Sequence, residues 1–514
     1  LTSKRKPADT QTQGSGLAGN LAWNLTGESV PVLAALVAIP ILVHRLGADR
    51  FGVLTISWMI AGYFGLFDFG LGRALTKAMA QELSLGRDAK AAELFWTSLV
   101  MMLTLGVAAG ISLAMIAPWL TRGALKIPLT LQSETLAGFY VIAIGLPILV
   151  TASALRAALA AASRFDLLNL IRTPSGIMSF VAPVLMLPFT HNLGWLIGAL
   201  IANRAASWAI YFAAIFRAFP GLRSNLTIDL ACILPLLGFG AWITLSSVIT
   251  PLMVYLDRIL IGSLMSMAAL AAYSVPMEIV SKSFILPAAI SGVMFPAFAR
   301  SFAAAPEELA PLFARSLKLV ALILCPVCAA VVTFAPQIMW FWIGHRFAGQ
   351  SAAVLQILAV GAFVTGLAWI PLALLQGAHR PDLVAKIHLV DFPLYALVLW
   401  IGVARFGLIG AAFIWSGRLL IENLMIFAMA TRFVAASGRG IAAAGGSLAL
   451  AIGVIMAGAF LPDVLSKAIF LGGLIAATGT VGWRFLLEAG ERSQIIGLLP
   501  PTLRPAFAKV ADWR

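Results

Sequence analysis

Blocks of about twenty consecutive apolar residues, separated by short charged stretches, recur along the whole chain. That length matches a helix crossing the hydrocarbon layer of a bilayer. No water is available there, so each block must satisfy its own backbone hydrogen bonds as a closed helix. A transmembrane β-barrel would show shorter alternating segments instead, and the sequence has none. With 61% hydrophobic and 11% charged residues in 514, the chain carries more apolar surface than one or two soluble cores could hide. The net charge of +14 would suggest nucleic acid in a soluble protein. Here the basic residues lie at the ends of the apolar blocks, which points to membrane orientation and excludes a nucleic-acid partner.

The blocks predict fourteen spans: 20–44, 51–72, 93–117, 136–160, 168–189, 193–216, 230–256, 267–296, 314–336, 353–376, 384–404, 407–431, 440–461 and 466–486. An even count puts both termini on one side. The basic residues then fall about three to one on that side, which makes it cytoplasmic. Residues 1–19 read as a cytoplasmic tail rather than a signal peptide, and 487–514 as a second tail.

The chain also repeats itself. Ala22-Trp23 recurs as Ala241-Trp242, and Ala117-Pro118 as Ala335-Pro336. Ser163-Arg164-Phe165-Asp166-Leu167 parallels His379-Arg380-Pro381-Asp382-Leu383. Leu196-Ile197-Gly198-Ala199 recurs as Leu408-Ile409-Gly410-Ala411. The matches keep chain order and fall at equivalent places in the span list. An N-lobe (20–217, six helices) and a C-lobe (230–432, six helices) are therefore expected to be copies of one bundle, related by an axis along the membrane normal. Helices 13 and 14 (440–486) stand outside the repeat. The fold class expected is all-α integral membrane. Such a pair encloses a cavity that a rocking motion can open to either side. A channel would need a selectivity element, and no filter-like loop is visible.

Several motifs carry a resemblance. Asn20-Leu-Ala-Trp-Asn24, Arg45-Leu-Gly-Ala-Asp-Arg-Phe-Gly52 and Phe67-Asp-Phe-Gly-Leu-Gly-Arg73 resemble the start of bacterial polysaccharide (O-antigen type) flippases. These belong to the multidrug/oligosaccharidyl-lipid/polysaccharide (MOP) exporter superfamily. Asp257-Arg258-Ile-Leu-Ile-Gly262 followed by Tyr273 resembles the start of that family's second half. The resemblance implies flipping of undecaprenyl-diphosphate-linked oligosaccharide from the cytoplasmic to the periplasmic leaflet of the inner membrane. It also implies a central cavity lined by helices 1, 2, 7 and 8, often driven by an H+ or Na+ gradient. Glycan-assembly proteins and membrane lipids are the implied partners.

Ionisable groups inside spans are costly, so each is a candidate for function. Asn24, Glu28 and Pro31 share a face of helix 1, with Glu28 a candidate coupling-ion site. Glu278 and Lys282, four apart, either pair with each other or free Lys282 for a phosphate. Asp68 and Arg73 are candidate cavity or gate residues, and Lys77 is either a mouth residue or an ordinary anchor. Asp257 and Arg258 are gate candidates at the end of helix 7. Arg204 and Arg418 occupy equivalent places in helices 6 and 12. Glu422 follows Arg418 by four, so a structural ion pair is expected there. Cys325-Pro-Val-Cys328 reads as small apolar residues within a helix, and the five histidines have no metal-ligand spacing. No cofactor is implied. No nucleotide-binding glycine loop or nucleophile–base set appears, so an enzyme is not expected. Two other transport readings stay open. One is a cation-coupled small-molecule or drug exporter of the same superfamily, which Glu28 favours and Arg73, Lys77 and Lys282 oppose. The other is a lipid II flippase. A scaffold for a glycan-synthesis complex is the non-transporting alternative.

Overall fold

The computed structural model describes residues 30–66, 70–219, 227, 252–378, 380–434, 438–486 and 492, and among these every regular element is a helix. In chain order they are α1 (Val30–Leu46), α2 (Ala48–Leu66), α3 (Leu71–Ser84), α4 (Asp88–Trp119), α5 (Gln132–Ala161), α6 (Phe165–Met186), α7 (Leu193–Ala218) and α8 (252–264). There follow α9 (Met267–Ser283), α10 (Ile285–Ala304), α11 (Leu309–Thr333), α12 (Ala335–Ile343), α13 (His345–Gly377), α14 (Pro381–Thr431), α15 (Gly438–Ala457) and α16 (Val464–Val481). Eight stretches among the described residues are long and apolar enough to cross a membrane, and two shorter apolar helices, Val30–Leu46 and Ala444–Phe460, join them. Most of the expected span 230–256 lies outside the described residues, as do the tail 1–19, the tail 487–514 apart from residue 492, Asn24, Glu28, Asp68 and Cys232.

One element differs from expectation. The polar connection between the second and third spans contains α3. Its Leu71, Ala74, Leu75 and Met79 are buried, while Arg73, Lys77 and Gln81 are exposed. This is the three-to-four spacing of an amphipathic helix, too polar to register as a span. The expected spans 384–404 and 407–431 are two helical segments of α14 that part at a kink at Gly407 (φ 60, ψ −139), where the backbone is not helical. A residue with a Cβ is strained in that conformation.

The chain divides into two compact units. The first comprises residues 1–275, 341–347 and 385–411. Its centre is α5, which packs against α2, α3, α4, α6 and α7. Leu75, Met79, Phe95, Met102, Leu155 and Leu159 form part of a shared core between α3, α4 and α5. Gly106 and Gly110, one turn apart on α4, let the α5 backbone approach closely. A Cβ on Gly106 would sit 2.7 Å from Pro147 Cα, and one on Gly110 2.6 Å from Ala143 O. Small residues at four-residue spacing are how helices in lipid gain contact without a hydrophobic driving force. At the opposite end of α5 from the 162–164 turn, Glu134 accepts hydrogen bonds from Arg50 Nη2 (2.8 Å) and from the Leu193 backbone N–H (3.0 Å). It thereby ties the starts of α2, α5 and α7 together.

The second unit comprises residues 276–340, 348–384 and 412–514. Within it α11 packs against α10, α15 and α16. Ser416 donates to the Ile357 carbonyl (3.0 Å), and Asn423 to Thr365 Oγ1 (3.4 Å), joining α14 to α13. Lys467, buried on α16, donates to Gln337 Oε1 (3.3 Å).

Candidate functional site

Four arginines converge on a cavity of about 750 Å³ inside the first unit: Arg73, Arg156, Arg172 and Arg204. Helix periodicity explains how. On α7, Arg204, Ser207, Trp208 and Tyr211 follow the i, i+3, i+4, i+7 pattern of a single face, and all four line the cavity. On α5 the facing stripe is Leu149, Ala152, Ser153, Arg156 and Ala160. On α6 it is Phe165, Leu168, Asn169, Arg172 and Ser175. Arg73 and Thr76 enter from α3.

The turn between α5 and α6 sets the depth of the arginines. Ser163 takes φ 57, and Arg164 N–H closes back onto the Leu159 carbonyl (2.9 Å). Arg164 also grips Asp166, with Nε to Oδ1 at 3.0 Å and Nη2 to Oδ2 at 2.9 Å. That guanidinium holds the Asp166 carboxyl below the usual carboxylate range. Arg156 lies five residues before the end of α5 and Arg172 seven after the start of α6. Both therefore sit roughly 7–11 Å into their helices, at about 1.5 Å per residue. Asn203 on α7 donates to the Ser175 carbonyl on α6 (3.0 Å), fixing the two walls against each other. Tyr211 donates to the Leu168 carbonyl (3.4 Å) and lies within electrostatic reach of Arg156, Arg172 and Arg204.

None of the described lining residues is acidic. Guanidinium groups gathered around one cavity favour an anion with several oxygens, because each planar fork can donate two parallel hydrogen bonds to it. The arrangement can bind a phosphate or diphosphate.

Of the described residues singled out from sequence, Arg73 and Arg204 line this cavity. Lys77, one turn on, is exposed on α3. Glu278 and Lys282 lie in the second unit, 3.2 Å apart and about one-third exposed. Asp257 sits within α8, not at a helix end, and is fully buried. It accepts from Tyr273 Oη (2.8 Å) and from the Arg258 backbone N–H (2.7 Å). The Arg258 guanidinium lies 5.5 Å from the Tyr255 ring centre. Arg418 pairs with Glu422 in the second unit, both nearly buried. Cys325 and Cys328 are buried free thiols, and the described residues contain no cluster of three or more metal-ligating side chains.

Arg156 and Arg172 were not singled out in the sequence, and Arg204 was named there only as the counterpart of Arg418. A signal was present for Arg204. Arg418 has a carboxylate four residues on, whereas the equivalent Arg204 has Leu200, Ile201, Ser207 and Trp208 at the neighbouring helical positions. An arginine within a span and without a local counter-ion is a stronger functional candidate than a paired one.

The fold is that of transporters of the MOP superfamily. A multidrug resistance MATE family transporter in an inward-facing conformation superimposes with a TM-score of 0.65 at 16% identity, covering 80% of this chain and 97% of that one. A MOP superfamily transporter from Pyrococcus furiosus gives 0.57 at 16% identity, covering 81% and 94%. Residues 41–351 match the family described as polysaccharide biosynthesis protein, and the chain belongs to that family. A relative described as an O-antigen transporter of Shigella flexneri is 28% identical over 80% of this chain and 97% of its own length. The lipopolysaccharide biosynthesis protein WzxC of Escherichia coli K12 is 24% identical over 78% and 77%. These relatives are transport and polysaccharide-biosynthesis proteins, not enzymes.

Proposed function

We propose that this protein flips an undecaprenyl-diphosphate-linked oligosaccharide from the cytoplasmic to the periplasmic leaflet of the bacterial inner membrane. The observation that carries this reading is the four-arginine cavity, with no acidic residue among its described lining. A diphosphate cannot enter hydrocarbon unaided, and like charges gathered around one cavity repel one another. Binding the head group relieves both costs, while the isoprenoid tail stays in lipid. Family membership and the transporter fold support the same reading.

In this scheme both termini are cytoplasmic. Two six-helix lobes, 20–217 and 230–432, rock about the substrate in alternating access. With no nucleotide site in the sequence, an H+ or Na+ gradient supplies the drive, with Glu28 as the coupling candidate. Asn24 and Asp68 line the path, Lys77 draws the head group to the mouth, the Glu278–Lys282 pair offers the head group a contact outside the arginine cavity, and Asp257–Arg258 belongs to the gate.

The test is a deletion strain. It should lose surface glycan and accumulate the lipid-linked sugar on the cytoplasmic face. Wild type should restore export, and Arg204→Ala should not, at equal membrane levels. Normal surface glycan with raised drug sensitivity would replace this reading with the exporter alternative.

A further inference from the structure

One aromatic residue stands in the arginine cavity with its polar group already committed. Trp208 Nε1 donates to Thr151 Oγ1 (3.0 Å), and Phe212 stacks against the indole with ring centres 5.0 Å apart at 13°. Trp208 lines the cavity, and Phe212 does not. The indole N–H being spent, what Trp208 offers the cavity is aromatic surface.

That surface is wrong for phosphate. The face of an indole is electron-rich and repels anions, whereas it attracts C–H groups that carry partial positive charge. A pyranose ring presents such a C–H face. Trp208 follows Arg204 by four residues on the same face of α7, about 6 Å along the helix axis. A sugar bonded directly to a diphosphate held by Arg204 must lie within that reach. Asn169 on the facing helix adds a carboxamide, able both to donate to and to accept from sugar hydroxyls. At about 750 Å³ the cavity matches the usual size of a small-molecule site, with room for a diphosphate and the sugar joined to it.

We propose that Trp208 is a specificity-determining residue that stacks on the sugar joined to the diphosphate. This rests on the lipid-diphosphate reading above, and the test separates the two. Purified protein in nanodiscs is titrated with undecaprenyl diphosphate, and with the same lipid carrying one glucose, galactose or N-acetylglucosamine. In wild type the best sugar should bind about tenfold tighter than the bare diphosphate. Trp208→Ala should erase that preference without weakening the bare diphosphate, and Trp208→Phe should keep most of it. Arg204→Ala should weaken all ligands and preserve the ratio. A wild type with no sugar preference, or a Trp208→Ala protein that keeps it, overturns the stacking role alone. Failure of wild type to bind bare undecaprenyl diphosphate, with Arg204→Ala no different, overturns the parent reading and this one with it.

Discussion

Substituting Gly106 by alanine tests whether backbone contact between α4 and α5 holds the first unit together. Two effects oppose each other. Glycine to alanine in a helix interior ordinarily stabilises by about 1 kcal/mol. At Gly106, however, the new methyl would sit 2.7 Å from Pro147 Cα, with Leu146 O and Pro147 N at 3.2 Å. Ordinary contact begins near 3.4 Å, so α5 must retreat by about 0.7 Å. The obstructing atoms are backbone, so no rotamer change relieves them. Overpacking of this kind costs about 1–3 kcal/mol, toward the upper end where the neighbour cannot yield. The net expectation is about 1–2 kcal/mol of destabilisation. Gly198→Ala is the matched control, because nothing lies within 4 Å of its Cβ position on α7. It should be neutral or slightly stabilising. Thermal unfolding of detergent-purified protein, followed by size-exclusion fluorescence, reads both. Gly106→Ala should lower Tm by several degrees relative to Gly198→Ala. Equal Tm values for the two variants would refute the close-packing argument. Because α5 also carries Arg156, the Gly106 variant should lose export before it loses its fold.

Arg418→Gln removes the partner four residues before Glu422 and should destabilise by about 3 kcal/mol, with Arg418→Gln/Glu422→Gln recovering most of the loss in the same melt. Glu134→Ala removes acceptors for both Arg50 and the Leu193 N–H and should cost about 2 kcal/mol; a double-mutant cycle with Arg50→Ala should show coupling rather than additivity. Asp463 caps α16 through the Ser466 backbone N–H (2.8 Å), a bond that holds its carboxyl below the usual range. The folded value is the lower one, so the cap's contribution is complete above the ordinary carboxylate range and is lost as pH falls through the folded value. Hydrogen exchange in the first turn of α16 should therefore speed up on acidification beyond the intrinsic trend, and Asp463→Asn should abolish that dependence.

Hydropathy made the helical membrane class legible, because the requirement for twenty apolar residues per crossing is local. The Arg418–Glu422 pair was legible for the same reason, since four residues on one helix settle the geometry. The amphipathic α3 was hidden among charged residues, where the search for long apolar blocks passes over a short helix. Asp257 was misplaced at a helix end because α8 runs on to residue 264.

Taken alone, the sequence determined the helices, the apolar faces they present and the cost of each charge placed within them. Tertiary structure decided which charges meet. Arg73, Arg156, Arg172 and Arg204 are separated by up to 131 positions, and nothing in the sequence groups them. They share one cavity because a tight turn at 162–164 sets α6 against α5, Asn203 clamps α6 to α7, and α3 closes one side. Convergence of this kind depends on how helices pack across the bundle, and no period along a single chain encodes it.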